Sequence, residues 1–125
     1  MSKKKTGTFA MLRILQKYSD SEHVMSTKDI TKRLYYDYGI ELERRTLYDN
    51  FNVLESFGYP IHRYESGVLG YYLTERKFTR EQVLRVNTSL RLNPEVSDEE
   101  RKAIIEGMTE DYSDYQKAEL MAKIN

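Results

Sequence analysis

The 125 residues contain no cysteine. That excludes a disulfide framework, thiol chemistry and a thiolate metal site. No apolar run reaches membrane-spanning length. Lys3-Lys4-Lys5 is not followed by the apolar core of a signal peptide. No membrane partner is expected, and the expected compartment is the cytoplasm. The only histidines, His23 and His62, stand far apart in sequence. A packing or surface role for His62 outweighs a catalytic one. No metal-ligand spacing and no phosphate-cradling glycine loop occurs. An enzyme, a cofactor, a metal site and a catalytic residue are therefore all unexpected. No internal repeat or low-complexity segment is present.

Net charge is zero, which argues against a nucleic-acid partner. Its distribution argues the other way. Residues 1–78 carry 13 Lys/Arg and 10 Asp/Glu, and residues 79–125 carry 7 and 10. A basic module joined to an acidic one fits these counts. Charged residues at 32% and hydrophobic ones at 39% suit a globular domain rather than a disordered chain. The length suits one domain with an appendage.

The most informative stretch is Ile40–Gly58. Leu47, Phe51 and Leu54 fall at i, i+4 and i+7, which predicts a helix over Glu43–Phe57. Gly58 and then Pro60 supply its stop. Arg45, Asp49, Asn52 and Ser56 lie opposite the apolar stripe, flanked by Thr46 and Tyr48. Such side chains can bond a base edge or a phosphate. An ordinary surface helix is the bland alternative, so the neighbours decide.

Residues 1–7 read as a flexible basic arm. Thr8–Ser19 predicts a first helix, with Phe9, Leu12, Leu15 and Tyr18 on its apolar face. Val24-Met25 suits a short extended segment. Ser26-Thr27-Lys28-Asp29 resembles a capping box opening a second helix, whose inner face runs through Ile30, Leu34, Tyr35 and Tyr38 to a stop at Gly39. Two helices joined by a short glycine-containing turn, the second polar outward, match the helix-turn-helix pattern. Tyr59–Tyr64 and Tyr71–Thr74 then read as two short strands around a glycine-bearing tip. The expectation is a winged helix-turn-helix over residues 8–76, mainly α with a small β-hairpin wing. Arg63 is its natural wing contact.

Several of these residues carry a family resemblance. They are Gly39-Ile40, Arg44-Arg45-Thr46-Leu47-Tyr48, Phe57-Gly58-Tyr59-Pro60-Ile61 and Gly70-Tyr71-Tyr72-Leu73. The pattern resembles the N-terminal winged helix of bacterial WYL-domain transcription regulators, a DeoR-like group. The resemblance implies DNA binding, often as a dimer, with Arg45 and Thr46 at the matching contact positions. Where the family has a basic residue and then Asp, this chain has Asp49 and Asn50. The family's effector-sensing WYL domain would follow Asn125. The expectation is a regulator without it, naturally short or truncated.

Residues 77–125 form the predicted three-helix C-terminal extension. Thr79–Gln82, Ser97–Glu100 and Ser113–Gln116 are capping-box patterns ahead of apolar runs. Such short helices hold too little core to stand alone, which predicts packing on the winged helix or a homodimer through the C-terminal helices. The expected function is sequence-specific recognition of double-stranded DNA. The helix 43–57 enters the major groove, and Arg45, Asp49 and Asn52 meet base edges. Thr27, Lys28, Arg44, Thr46 and Tyr48 hold phosphates, and Arg63 follows along the wing. The alternative is a winged helix serving protein contact, as an adaptor or antirepressor.

Overall fold

A computed structural model describes residues 3–63 and 70–124. It is mainly helical, with one small antiparallel pair of strands. The chain divides into two compact units, Met1–Glu75 and Arg76–Asn125.

The first unit contains α1 (Lys3–Tyr18), α2 (Thr27–Tyr38), α3 (Arg44–Ser56), β1 (Ile61–His62) and β2 (Tyr72–Leu73). Ile61 pairs with Leu73 and His62 with Tyr72. Met25 adds a third extended segment by bridging to Tyr71, with N–H to carbonyl distances of 2.9 and 2.7 Å. The core joins all of these elements. Met11, Ile14 and Leu15 from α1 meet Ile30 and Leu34 from α2, Leu47, Phe51 and Leu54 from α3, and Leu73. The Ser19 hydroxyl fastens the end of α1 to the hairpin. It donates to the Leu15 carbonyl at 2.6 Å and accepts the Leu73 N–H at 3.1 Å.

Local sequence chemistry sets the helix ends. Ser26 and Asp29 exchange side-chain and backbone bonds as a complete capping box. Gly39 and Gly58 take φ of 64° and 90°, the left-handed region that glycine enters without steric cost. Gly70 serves a different need. A Cβ there would lie 2.8 Å from the Met25 carbonyl oxygen and 2.9 Å from the Val24 Cβ. Gly70→Ala is expected to push the 24–25 segment from the hairpin and cost about 1–3 kcal/mol. Urea denaturation checks this, and an unchanged midpoint would refute the close approach.

Three expectations for this unit need correction. Helix α1 begins at Lys3, so residues 3–7 are not an arm outside the first helix. Gly7 is buried against Leu42, where a Cβ would come within 2.9 Å of Leu42 Cδ1, and this packing extends the helix backwards. Phe9 is 65% exposed, because the buried face of α1 centres on Met11, Ile14 and Leu15. Tyr35 and Tyr38 are exposed too, since Ile30 and Leu34 complete the inner face of α2.

The second unit comprises α4 (Arg80–Arg91), α5 (Asp98–Met108) and α6 (Asp114–Ile124). Thr79 with Gln82 and Ser113 with Gln116 form reciprocal caps, and Ser97 accepts the Glu100 N–H. This unit has a core of its own, contrary to the expectation that the tail lacks one. Val83, Ile105, Tyr112, Leu120 and Ile124 are buried together. Polar bonds extend that small core. The Tyr112 hydroxyl donates to the Phe78 carbonyl at 2.7 Å, and Arg91 donates to the Ile124 carbonyl at 2.8 Å. Arg101 is 4% exposed and donates to Asn87 Oδ1 at 2.6 Å.

Candidate nucleic-acid interface

Helix α3 is held from behind by its own stripe. Leu47, Asn50, Phe51 and Leu54 are buried. Phe51 stacks on Tyr71 with centroids 4.6 Å apart and planes at 12°. Asn50 docks the helix on α1, accepting from Thr8 Oγ1 at 2.8 Å and donating to Met11 Sδ at 3.4 Å. Outward-facing side chains therefore project from a backbone fixed on two sides.

Arg45, Asp49, Asn52 and Ser56 are exposed on the side of α3 away from this core, and Thr46 is half-buried on its flank. Among the described residues Arg45 and Asp49 form no ion pair. Arg44 is oriented instead of free. Its Nε and Nη2 each donate to the Tyr48 hydroxyl at 3.3 Å. The bonds from Arg44, and next from Tyr71, hold the Tyr48 hydroxyl below its ordinary pKa. The same contact raises that of Arg44, while burial raises that of Tyr71.

Thr27 and Lys28 occupy the first turn of α2. They border a groove of about 720 Å³ together with Lys32, Tyr35, Tyr36 and Arg44. The start of α2 and the start of α3 thus share one surface recess. Arg63 lies elsewhere, folded onto α3. Its Nε donates to Glu55 Oε1 at 2.6 Å and its Nη2 donates to Asn52 Oδ1 at 2.7 Å. Its guanidinium sits 5.6 Å from the Phe51 ring centroid. The expected wing tip, with Gly67, falls in residues 64–69 and lies outside the described residues.

Comparison with protein-family models, curated proteins and solved structures gives no match.

Sequence reasoning missed two contributors. Asn50 stands three residues after Leu47 and four before Leu54, so its place in the buried stripe was legible from spacing. Glu55 precedes Arg63 by eight residues across the end of a helix, and no periodicity connects them. A second surface feature also belongs to this unit. Phe9 and Leu12 of α1 and Val53 of α3, with Phe57 and Tyr59 beyond its end, line an apolar groove of about 410 Å³. Among the described residues no cluster of carboxylates and histidines could hold a metal.

Proposed function

We propose that the chain is a sequence-specific DNA-binding transcriptional regulator of winged helix-turn-helix type, acting as a homodimer. One observation carries the reading. The exposed polar face of α3 stands beside the recess that joins Thr27, Lys28 and Arg44. In this reading α3 lies in the major groove with Arg45 on a base edge, and the recess cations meet the flanking phosphates. The hairpin after α3 and the residues that resemble WYL-type regulators support it.

Fluorescence anisotropy tests it, using the DNA upstream of the coding sequence and a scrambled duplex. Tighter binding to the first is expected. Three phosphate-bound cations in each protomer, Lys28, Lys32 and Arg44, would give a salt slope of about −2.7 per protomer, so raising salt fourfold should weaken binding roughly 40-fold for each protomer engaged. Arg45→Ala is expected to cost about 1–3 kcal/mol of specific binding in the same assay. Parent-like binding by this variant would remove Arg45 from the readout. Sedimentation of the free protein tests the homodimer, and a monomer at tens of micromolar would count against it.

A protein-contact role is the second reading, favoured by the apolar groove between α1 and α3. Exposed apolar patches of this kind mark partner surfaces more often than chance. Equal weak binding to both duplexes, with a salt-insensitive protein partner, would select it.

A further inference from the structure

Asn52, Glu55 and Arg63 form one assembly, although Asn52 and Arg63 enter the proposed interface as separate contacts. An arginine side chain has only donors. The amide atom of Asn52 that faces Arg63 Nη2 at 2.7 Å is therefore its oxygen. The Asn52 amide has one oxygen and one NH2 group. With the oxygen held, it presents the NH2 group.

We infer that Glu55 and Arg63 set the base preference of Asn52 by holding its carbonyl oxygen. The inference rests on the DNA-binding reading. A free asparagine recognises adenine through both amide atoms, accepting from N6 and donating to N7. That bond takes one of the oxygen's two lone pairs and fixes the amide in place, so Asn52 cannot turn both amide atoms to adenine N6 and N7 and meets the base chiefly through its NH2 group. An NH2 group suits guanine O6 and N7 or thymine O4 better than adenine, whose N7 accepts but whose N6–H2 beside it donates. Glu55 is a positioning residue here. Its carboxylate takes Arg63 Nε at 2.6 Å and aims the other end of the guanidinium at Asn52. A charge-assisted bond of this length gives the orientation its strength.

Selection of binding sites from a randomised duplex pool tests the assignment, with the parent, Arg63→Met and Asn52→Ala compared. The parent should prefer guanine or thymine at one position, and Asn52→Ala should lose that preference. Arg63→Met frees the amide oxygen and should move the preference to adenine by roughly tenfold. An unchanged preference in Arg63→Met overturns the inference. So does a salt slope lower by about one with the same base preference, because Arg63 would then leave Asn52 for a phosphate.

Hydrogen exchange at the Arg63 Nε–H of the free protein gives a readout without DNA. It should be slower than at exposed Arg45, and Glu55→Met, which removes the acceptor, should abolish the difference. Equal exchange at the two arginines overturns the assembly itself. Failure of every duplex to bind overturns the functional reading and the base preference together. A slow Arg63 Nε–H would then locate the fault in the function and not in the geometry.

Discussion

Phe51→Ala should remove a large share of the first unit's stability, and with it the DNA binding proposed above, without disturbing the second unit. Phe51 is fully buried. Its ring stacks on Tyr71 of the hairpin and lies 6.3 Å from the Tyr48 ring. Truncating such a ring removes its transfer energy and leaves a cavity, for a loss of about 3–5 kcal/mol. A unit of this size has a total stability of roughly 4–11 kcal/mol, so the loss consumes a large share. The cavity opens where α3, α1 and the hairpin converge, and neighbouring side chains cannot refill it cheaply. Urea titration followed by methyl NMR would separate the units. Signals from Leu47, Leu54 and Leu73 should shift their midpoint strongly, while those from Ile105 and Leu120 should not. A common shift would show that the two cores unfold as one. A shift under 1 kcal/mol would show that α3 is held chiefly by other contacts.

A second large effect is expected at Asn87. Arg101 is 4% exposed, and its Nη1 donates to Asn87 Oδ1 at 2.6 Å. Its nearest carboxylate, Asp98, is 3.6 Å away on a side chain that is 85% exposed. Among the described residues its Nε has no hydrogen-bond partner. The guanidinium is thus buried with little compensation, and Asn87 supplies much of it. Asn87→Ala should cost about 2–4 kcal/mol, because a buried charge loses an acceptor. Arg101→Met should cost less than Asn87→Ala, since it removes the charge, keeps the length and leaves only a neutral amide without its partner. Chemical denaturation of the two variants decides the matter. If Arg101→Met is the more harmful, the guanidinium contributes more by packing and polar contact than its desolvation costs.

The sequence announces its helix ends more clearly than its faces. Ser26 with Asp29, Thr79 with Gln82 and Ser113 with Gln116 each lie three residues apart, and each pair closes as a reciprocal cap. Gly39 and Gly58 take the left-handed conformations that their positions after apolar stripes suggest. These signals are local, so a short window contains the whole cause. Faces depend on what the rest of the chain brings opposite. Phe9 and Leu12 look equivalent in a helical stripe, yet Phe9 is 65% exposed and Leu12 is buried. Ile104 and Ile105 are neighbours, and only Ile105 reaches the core. In the candidate site, the outward placement of Arg45, Asp49 and Asn52 follows from periodicity. The bonds that limit Asn52 and Arg63 join Asn52 and Glu55 of α3 to Arg63 beyond its end, and periodicity carries no such information.

The bridge between Met25 and Tyr71, reinforced by the Ser19–Leu73 bond, also has a consequence for synthesis. Strands of two residues cannot persist alone. They depend on a partner segment that leaves the ribosome far earlier. The helices α1 to α3 can form as they emerge, but the stack of Phe51 on Tyr71 and the hydroxyl clasp must wait. Closing so long a loop is entropically costly until the helical core has drawn its ends together. A nascent chain paused just short of Tyr71 should expose Phe51 and engage holdase chaperones. One paused after the whole first unit has cleared the tunnel should not. The hairpin thus acts as the final latch of cotranslational folding, and the first unit becomes protease-resistant only when its last residues arrive.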